Sequence, residues 1–227
     1  MIFFGPPGIG KGTLARKCLN SFDCKYLSTG SLCRQYSLLD NEIGKEIKQL
    51  IDNGNLVSDK LIFEMINDYF MDFFNNSEDK VIILDGFPRT EKQFNIFFDL
   101  LKKNNKLNDS YFVFFKSNIN TILNRIEKRA ICSNLKCEGI YSLNKIENIL
   151  CELCNNNLIR RKDDEINSIQ NRLNNYFSNE NSIYKYIRDS GVKIIEIDGL
   201  LHEKDIFNSF NDYLKMENIV LKMDLNN

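Results

Sequence analysis

Residues 5–13 read GPPGIGKGT, and the order of residue types in that stretch is what a polyphosphate site requires. Gly5, Gly8 and Gly10 let backbone N–H groups converge on one point. Lys11 adds an ammonium, and Gly12 and Thr13 open a helix-like run whose positive end completes the cradle. A loop of this kind binds a nucleoside triphosphate, with Lys11 reaching the β and γ phosphates. A plain Gly/Pro turn between strand and helix would leave the Lys and Thr at this spacing unexplained. A second constellation lies in the later half of the chain. Four residues separate Cys132 from Cys137, two separate Cys151 from Cys154, and thirteen lie between the pairs. Two chelating turns facing each other make a closed tetrahedral thiolate site, which points to structural Zn2+; reduced, metal-free cysteines are the alternative. Asp85 ends the apolar run VIIL, which puts a carboxylate where parallel sheets bind their ligands, and a Mg2+ ion held through waters suits it. His202, the single histidine, reads as an exposed helix-start residue and is assigned no role.

These groups need a frame, and the hydrophobic pattern supplies one. Short apolar runs alternate with helix-period segments: MIFF before a helix from about Thr13, then KYLS before short helices. VIILDGF precedes a helix from about Thr90, YFVFFKS one from Asn118, and VKIIEID a final helix. Continuous apolar strands separated by helices imply a parallel sheet buried on both faces, so the expected class is α/β. Two segments interrupt the alternation. From about Thr29 to Val57, Ile43, Ile47, Leu50 and Ile51 fall at helical spacing in what reads as a small helical lobe. From Arg129 to Lys162 the periodicity gives way to a Cys-bearing, Asn-rich stretch too long for a plain loop, which should be a lid. The tail from Glu217 carries no readable pattern.

The chain has 227 residues, enough for one core with small inserted lobes, and its formal net charge of −1 argues against a broad nucleic-acid-binding surface. No apolar run is long enough for a membrane helix, and nothing precedes the first strand that reads as a targeting segment. The expectation is a soluble, cytoplasmic protein without nucleic-acid or membrane partners. Only Ile2, Phe3 and Phe4 precede the loop, fewer residues than a buried central strand usually has, which suggests a start further upstream.

The placement of Gly12, with the hydroxyl one position later than in the general signature, makes GPPGIGKGT resemble the loop of adenylate kinases. The rest of the chain extends the likeness: LSTGSLCR at Leu27–Arg34, GNLVSD at Gly54–Asp59 and DGFPRT followed by Gln93. RIEKR at Arg125–Arg129 and RRKDDEINSIQNRL at Arg160–Leu173 complete it. Order and spacing hold from Phe3 to about Gly199, in the long-lid form with a zinc-type lid. The resemblance implies a doubly wound, five-stranded parallel sheet with a core of 1–28, 59–128 and 163–227. It adds an AMP lobe at 29–58 and a lid at 129–162. It implies a monomer that transfers the terminal phosphoryl group of ATP, or GTP, to AMP with Mg2+. A GTP-using relative would suit a mitochondrial matrix. Another nucleoside monophosphate acceptor, UMP or CMP, and a non-catalytic nucleotide-binding protein are the rival readings.

By the same resemblance, Gly8, Ile9, Gly10, Lys11, Gly12, Thr13, Arg125, Arg129 and Leu200 would hold the triphosphate. Thr29, Arg34, Val57, Gly86, Arg89, Gln93, Arg161 and Arg172 would hold AMP and the transferred group. Lys11, Asp85, Arg89, Arg125, Arg129, Arg161 and Arg172 would carry catalysis, and Gln93 would read the adenine edge with its paired donor and acceptor. An exposed helix Gln is the bland alternative for Gln93. The chain departs from the family pattern at Ser31, where Asp is common after STG, and at Ala130, where a second consecutive Arg is frequent. The first pair, CSNLKC, carries two more residues than usual.

Overall fold

The computed structural model describes residues 1–76, 81–134, 137, 139–144, 149–219 and 221. Five strands, β1 (Ile2–Phe4), β2 (Cys24–Ser28), β3 (Val81–Asp85), β4 (Tyr111–Lys116) and β8 (Lys193–Asp198), form one sheet in the order β2-β3-β1-β4-β8. Every pairing in it is parallel. Because side chains alternate across a strand, neighbouring residues of the apolar runs feed opposite cores. Ile2, Phe4, Leu84 and Phe112 join one buried cluster, whereas Phe3, Ile83 and Val113 join the other. Helix α5 (Glu91–Lys103) brings Phe94, Phe97, Phe98 and Leu101 to the first face. Helices α1 (Lys11–Leu19), α6 (Ile119–Lys128) and α8 (Glu203–Met216) cover the second with Leu14, Ile122, Ile126 and Phe210. The sheet is therefore wound on both faces, as its uninterrupted apolar strands require.

Helix starts follow the expected caps. The side chains of Ser28, Asn41, Thr90 and Asn118 accept N–H groups of the first turn at α2 (Thr29–Tyr36), α3 (Glu42–Asp52), α5 and α6. Helices α2 and α3 both fall within the 29–58 range. Two long helices depart from the sequence reading: α4 (Asp59–Asn76) spans 18 residues where only short helices were expected, and α7 (Ile166–Asp189) spans 24 without having been assigned. Both are poor in strong helix formers, α4 because of its aromatic residues and α7 because of its asparagines. Packing overrides that preference. Ile62, Met65, Ile66, Phe70 and Phe73 of α4, and Ile169, Leu173, Ile183 and Ile187 of α7, are buried at helical spacing.

The segment expected to be a lid contains a second sheet, antiparallel, of β5 (Arg129–Cys132), β6 (Ile140–Ser142) and β7 (Leu158–Ile159) in the order β6-β5-β7. Residues 135–136, 138 and 145–148 of the 129–162 range lie outside those described, as do 220 and 222–227 of the tail. The lid's own core is Ala130, Cys132, Cys151 and Leu158. Ala130 is fully buried there, which leaves no room for the second arginine common at that position. No helix among the described residues is long and apolar enough to cross a membrane.

Candidate functional site

Strand β1 lies between β3 and β4, so the turns leaving β1 and β3 open side by side at the carboxyl edge of the sheet. A cleft of about 490 Å³ occupies that edge, walled by the phosphate loop, the small helical lobe, the lid and α7. The first wall is the loop itself. Gly10 caps α1 at φ 112°, and no side chain caps the helix, so the N–H groups of its first turn stay directed at a ligand. Gly8 has φ 85°, and a Cβ there would lie 2.5 Å from Cγ1 of Ile126, so only glycine fits. The Lys11 ammonium donates to the carbonyls of Gly5 at 2.8 Å and Pro6 at 3.0 Å and lies 3.8 Å from Asp85 Oδ1. Burial pushes its pKa down to about 8. Asp85 works against that fall, and Arg89, Arg172 and Arg129 add to it. The hydroxyl of Tyr26 donates to the other oxygen of Asp85 at 3.0 Å, which fixes the carboxylate beside the loop.

The second wall is the turn after β3. Gly86, at φ 80°, accepts at its carbonyl from Thr29 Oγ1 at 2.7 Å and Arg89 Nε at 2.6 Å. A Cβ on Gly86 would lie 2.6 Å from the Arg89 guanidinium and 2.9 Å from Thr29 Oγ1. Arg34, Val57 and Gln93 complete this side. Gln93 is 3% exposed, which removes the reading of it as a surface helix residue. Its Oε1 accepts from the backbone N–H of Arg89 at 2.8 Å, and its Nε2 donates to Asp59 Oδ1 at 2.8 Å.

Cations from the lid and α7 form the third wall. Arg129 makes a two-pronged ion pair with Asp164, with Nε 2.8 Å from Oδ2 and the terminal nitrogen on Oδ1. Arg172 donates to the backbone carbonyl of Asp163 at 2.9 Å and its carboxylate at 3.0 Å, and to Asp164 at 3.3 Å. Arg161 also lines the cleft, and its shielded Nε has no hydrogen-bond partner among the described residues. Burial, followed by the charges of Arg129 and Arg34, brings its pKa down to about 9, while Asp163 and Asp164 oppose the fall. Asp163 and Asp164 were not selected from sequence, although they directly follow the Arg160–Lys162 run. Arg160, also unselected, ties the lid to its foot by donating to the carbonyls of Arg129 at 2.7 Å and Leu143 at 2.9 Å.

Two expected triphosphate contacts lie off the cleft wall. The side chain of Ile9 is fully buried in the core, and that of Leu200 is largely exposed. Arg125 lines the cleft with its guanidinium set on main-chain oxygens: Ile9 at 2.8 Å, Gly199 at 2.6 Å, Leu201 at 2.9 Å and Leu200 at 3.4 Å. It thereby joins the phosphate loop to the turn after β8. His202 caps α8, as its sequence position indicated, with Nδ1 accepting from the Lys204 N–H at 3.4 Å.

In the lid, the sulfurs of Cys132, Cys137, Cys151 and Cys154 all lie within 4.8 Å of one another, and none is in a disulfide. Cys132 is 3.3 Å from Cys154 and Cys137 is 3.5 Å from Cys151. Tetrahedral zinc with Zn–S bonds of about 2.3 Å would set sulfurs about 3.8 Å apart, a spacing within the range that the quartet spans, so the four could hold such an ion. Tyr141 Oη at 3.2 Å from Cys151, Asn156 Nδ2 at 3.4 Å from Cys154 and the Asn134 N–H at 3.4 Å from Cys132 supply donors to the sulfurs.

The adenylate kinase family model matches residues 3–192. The chain belongs to the adenylate kinase family. It is 34% identical to an adenylate kinase of Mycoplasmopsis pulmonis over 90% of this chain and 93% of the relative. Identity to an adenylate kinase of Petrotoga mobilis is 32% over 96% and 98%, and to one of Clostridium botulinum 33% over 94% and 97%. An adenylate kinase moves a phosphoryl group between ATP and AMP, and this cleft has the matching chemistry. Such a transfer leaves charge on the moving group and calls for aligned cations rather than for a nucleophilic side chain. Arg89, Arg129 and Arg172, drawn from separate places in the chain, lie near enough to Lys11 to help lower its pKa, and Arg89 and Arg129 act on Arg172 in the same direction.

Proposed function

We propose that the enzyme catalyses reversible, Mg2+-dependent conversion of ATP and AMP to two ADP, with the triphosphate on Gly8–Thr13 and AMP in the lobe 29–58. The observation that carries this reading is the convergence of Lys11, Arg89, Arg129, Arg161 and Arg172 on one cleft between loop, lobe and lid. An oxygen of the AMP phosphate attacks the terminal phosphorus of ATP as the bond to the bridging oxygen breaks, and ADP leaves. The attacking oxygen is already anionic, so no base is needed. Lys11 and Arg129 hold the donor phosphates, Arg34 and Arg89 the AMP phosphate, and Arg161 and Arg172 the group in transit, in forks suited to phosphate oxygens. Asp163 and Asp164 keep Arg129 and Arg172 extended toward the cleft until phosphates compete for them. Asp85, oriented by Tyr26, would hold Mg2+ through waters. The ion would neutralise charge on the donor phosphates.

The four lid thiolates would hold one structural Zn2+, a reading supported by their mutual distances and by the donors aimed at them. Donor choice favours ATP over GTP. The support for ATP is the family, whose members move a phosphoryl group between ATP and AMP; the carbonyls of Gly199, Leu200 and Leu201 are taken up by the Arg125 guanidinium. A coupled assay of ADP formation tests the proposal with ATP or GTP against AMP, with and without chelator. Turnover should require Mg2+ and run faster with ATP; binding of both nucleotides without turnover would make the chain a sensor instead.

A further inference from the structure

Gln93 sits in a closed hydrogen-bond circuit that the phosphate chemistry does not use. Asp59, the first residue of α4, accepts at Oδ1 from Gln93 Nε2 at 2.8 Å and from Thr90 Oγ1 at 3.2 Å. Thr90 Oγ1 in turn accepts the backbone N–H of Gln93 at 3.1 Å, and Gln93 Oε1 accepts the backbone N–H of Arg89 at 2.8 Å. Two of these partners have fixed polarity, since a backbone N–H only donates and an ionised carboxylate only accepts. A half-turn of the amide would set an NH2 group against the Arg89 N–H and a carbonyl against the Asp59 carboxylate. Both contacts would become repulsive in a position that is 3% exposed to water.

An unrestrained primary amide does not discriminate strongly between purines, because it accepts from a 6-amino group in one orientation and donates to a 6-oxo group in the other. We infer that Asp59 is a specificity-determining positioning residue, which locks the Gln93 amide against rotation and so commits the acceptor site to a 6-aminopurine over a 6-oxopurine. This rests on the reading that Gln93 meets the acceptor base. One N–H and one oxygen lone pair of the amide remain for that base, in a fixed order. Adenine offers a donor beside a ring-nitrogen acceptor, whereas a 6-oxopurine has an acceptor where the amino group was. The wrong purine therefore leaves buried polar groups unpaired, the situation in which a site rejects an analogue strongly.

The test compares AMP with IMP, which differ at the purine 6-position and the adjoining ring nitrogen, as acceptors for wild type, Asp59→Ala, Asp59→Asn and Gln93→Leu, each first confirmed folded by thermal melting. Asp59→Ala should lower the AMP-to-IMP ratio of kcat/KM at least about tenfold, mainly through a higher KM for AMP and measurable use of IMP, with KM for ATP held. Asp59→Asn retains an Oδ1 acceptor and should restore most of the ratio. A purely structural role would lower both acceptors together and leave their ratio in place. Loss of the ratio in Gln93→Leu but not in Asp59→Ala would overturn the lock and keep the base-reading role of Gln93. A ratio unchanged in Gln93→Leu would remove that role and the inference with it.

Discussion

Lys11 holds an ammonium where there is little water to solvate it, and the low pKa of about 8 measures the cost. Between pH 8 and the ordinary lysine range the unfolded chain binds this proton and the folded chain does not, so stability contributed here rises with pH across that window. Below pH 8 the fold carries the whole penalty, about 3 kcal/mol, offset in part by the bonds to Gly5 and Pro6. Lys11→Met should therefore abolish transfer, with kcat down at least a thousandfold, yet raise the melting temperature of the ligand-free protein by a few degrees. Calorimetry beside the coupled assay reads both; an unchanged or lower melting temperature would show that the carbonyl bonds outweigh the burial. Because bound phosphates need the protonated form, wild-type affinity for ATP should be about tenfold weaker at pH 9 than at pH 7, and titration calorimetry should find that slope missing in Lys11→Met. Arg89→Ala should weaken AMP far more than ATP, since its guanidinium is anchored on the Gly86 turn of the acceptor side; equal losses would move it out of that site. That Lys11, Arg89 and the other cations line one cleft could be anticipated because each sits in a contiguous motif. Asp59, Asp163, Asp164 and Tyr26 were not, because each earns its role from a partner distant in sequence or from a fold not visible in residue order.

Among the elements, the lid depends most on something other than packing. Its buried core is Ala130, Cys132, Cys151 and Leu158, half of it metal-ligand candidates, and its strands run two to four residues. A lobe this small does not hold together on apolar burial alone, and thiolate ligation contributes on the order of 10 kcal/mol in small zinc modules. Purified under reducing conditions, the protein should carry one zinc per chain. Cys151→Ser should lose it, lower the melting temperature and slow turnover, because Arg129 and Arg161 stand at the two feet of the lid; AMP binding should survive. Metal analysis finding no stoichiometric ion, or four freely reactive thiols in the native enzyme, would leave the quartet a reduced cluster. The lid's strands escaped the sequence reading because runs of two to four residues are too short to show an alternating pattern. Helix α5 was visible from its Thr90 cap and regular apolar face. Helices α4 and α7 were obscured because aromatic and asparagine residues signal other structures more strongly than helix, and only burial against the sheet decides between them.

For the molecule as a whole, the sheet was the most legible feature, since five apolar runs between helices leave few arrangements other than a parallel sheet covered on both faces. The lobes were legible as interruptions, while their approach to one another was not. Asn171 and Asn175 of α7 donate to the carbonyls of Asn53 and Gly54 at 3.0 and 3.2 Å, a latch between elements more than a hundred residues apart. The position of β1 has a consequence during synthesis. It is the first of the five sheet strands to be made, and its partners among the described residues are β3 and β4, so it has no partner until residue 85 is made and keeps one open edge until residue 116. At about 5–20 residues per second, roughly 6–23 s elapse before the second edge of that aromatic strand can be covered on a growing chain. Nascent chains stalled before β4 is complete should bind holding chaperones and be cut readily by protease. Those extended well beyond it should resist in the first four strands, so the most buried strand of the finished enzyme is also the one exposed longest while it is being made.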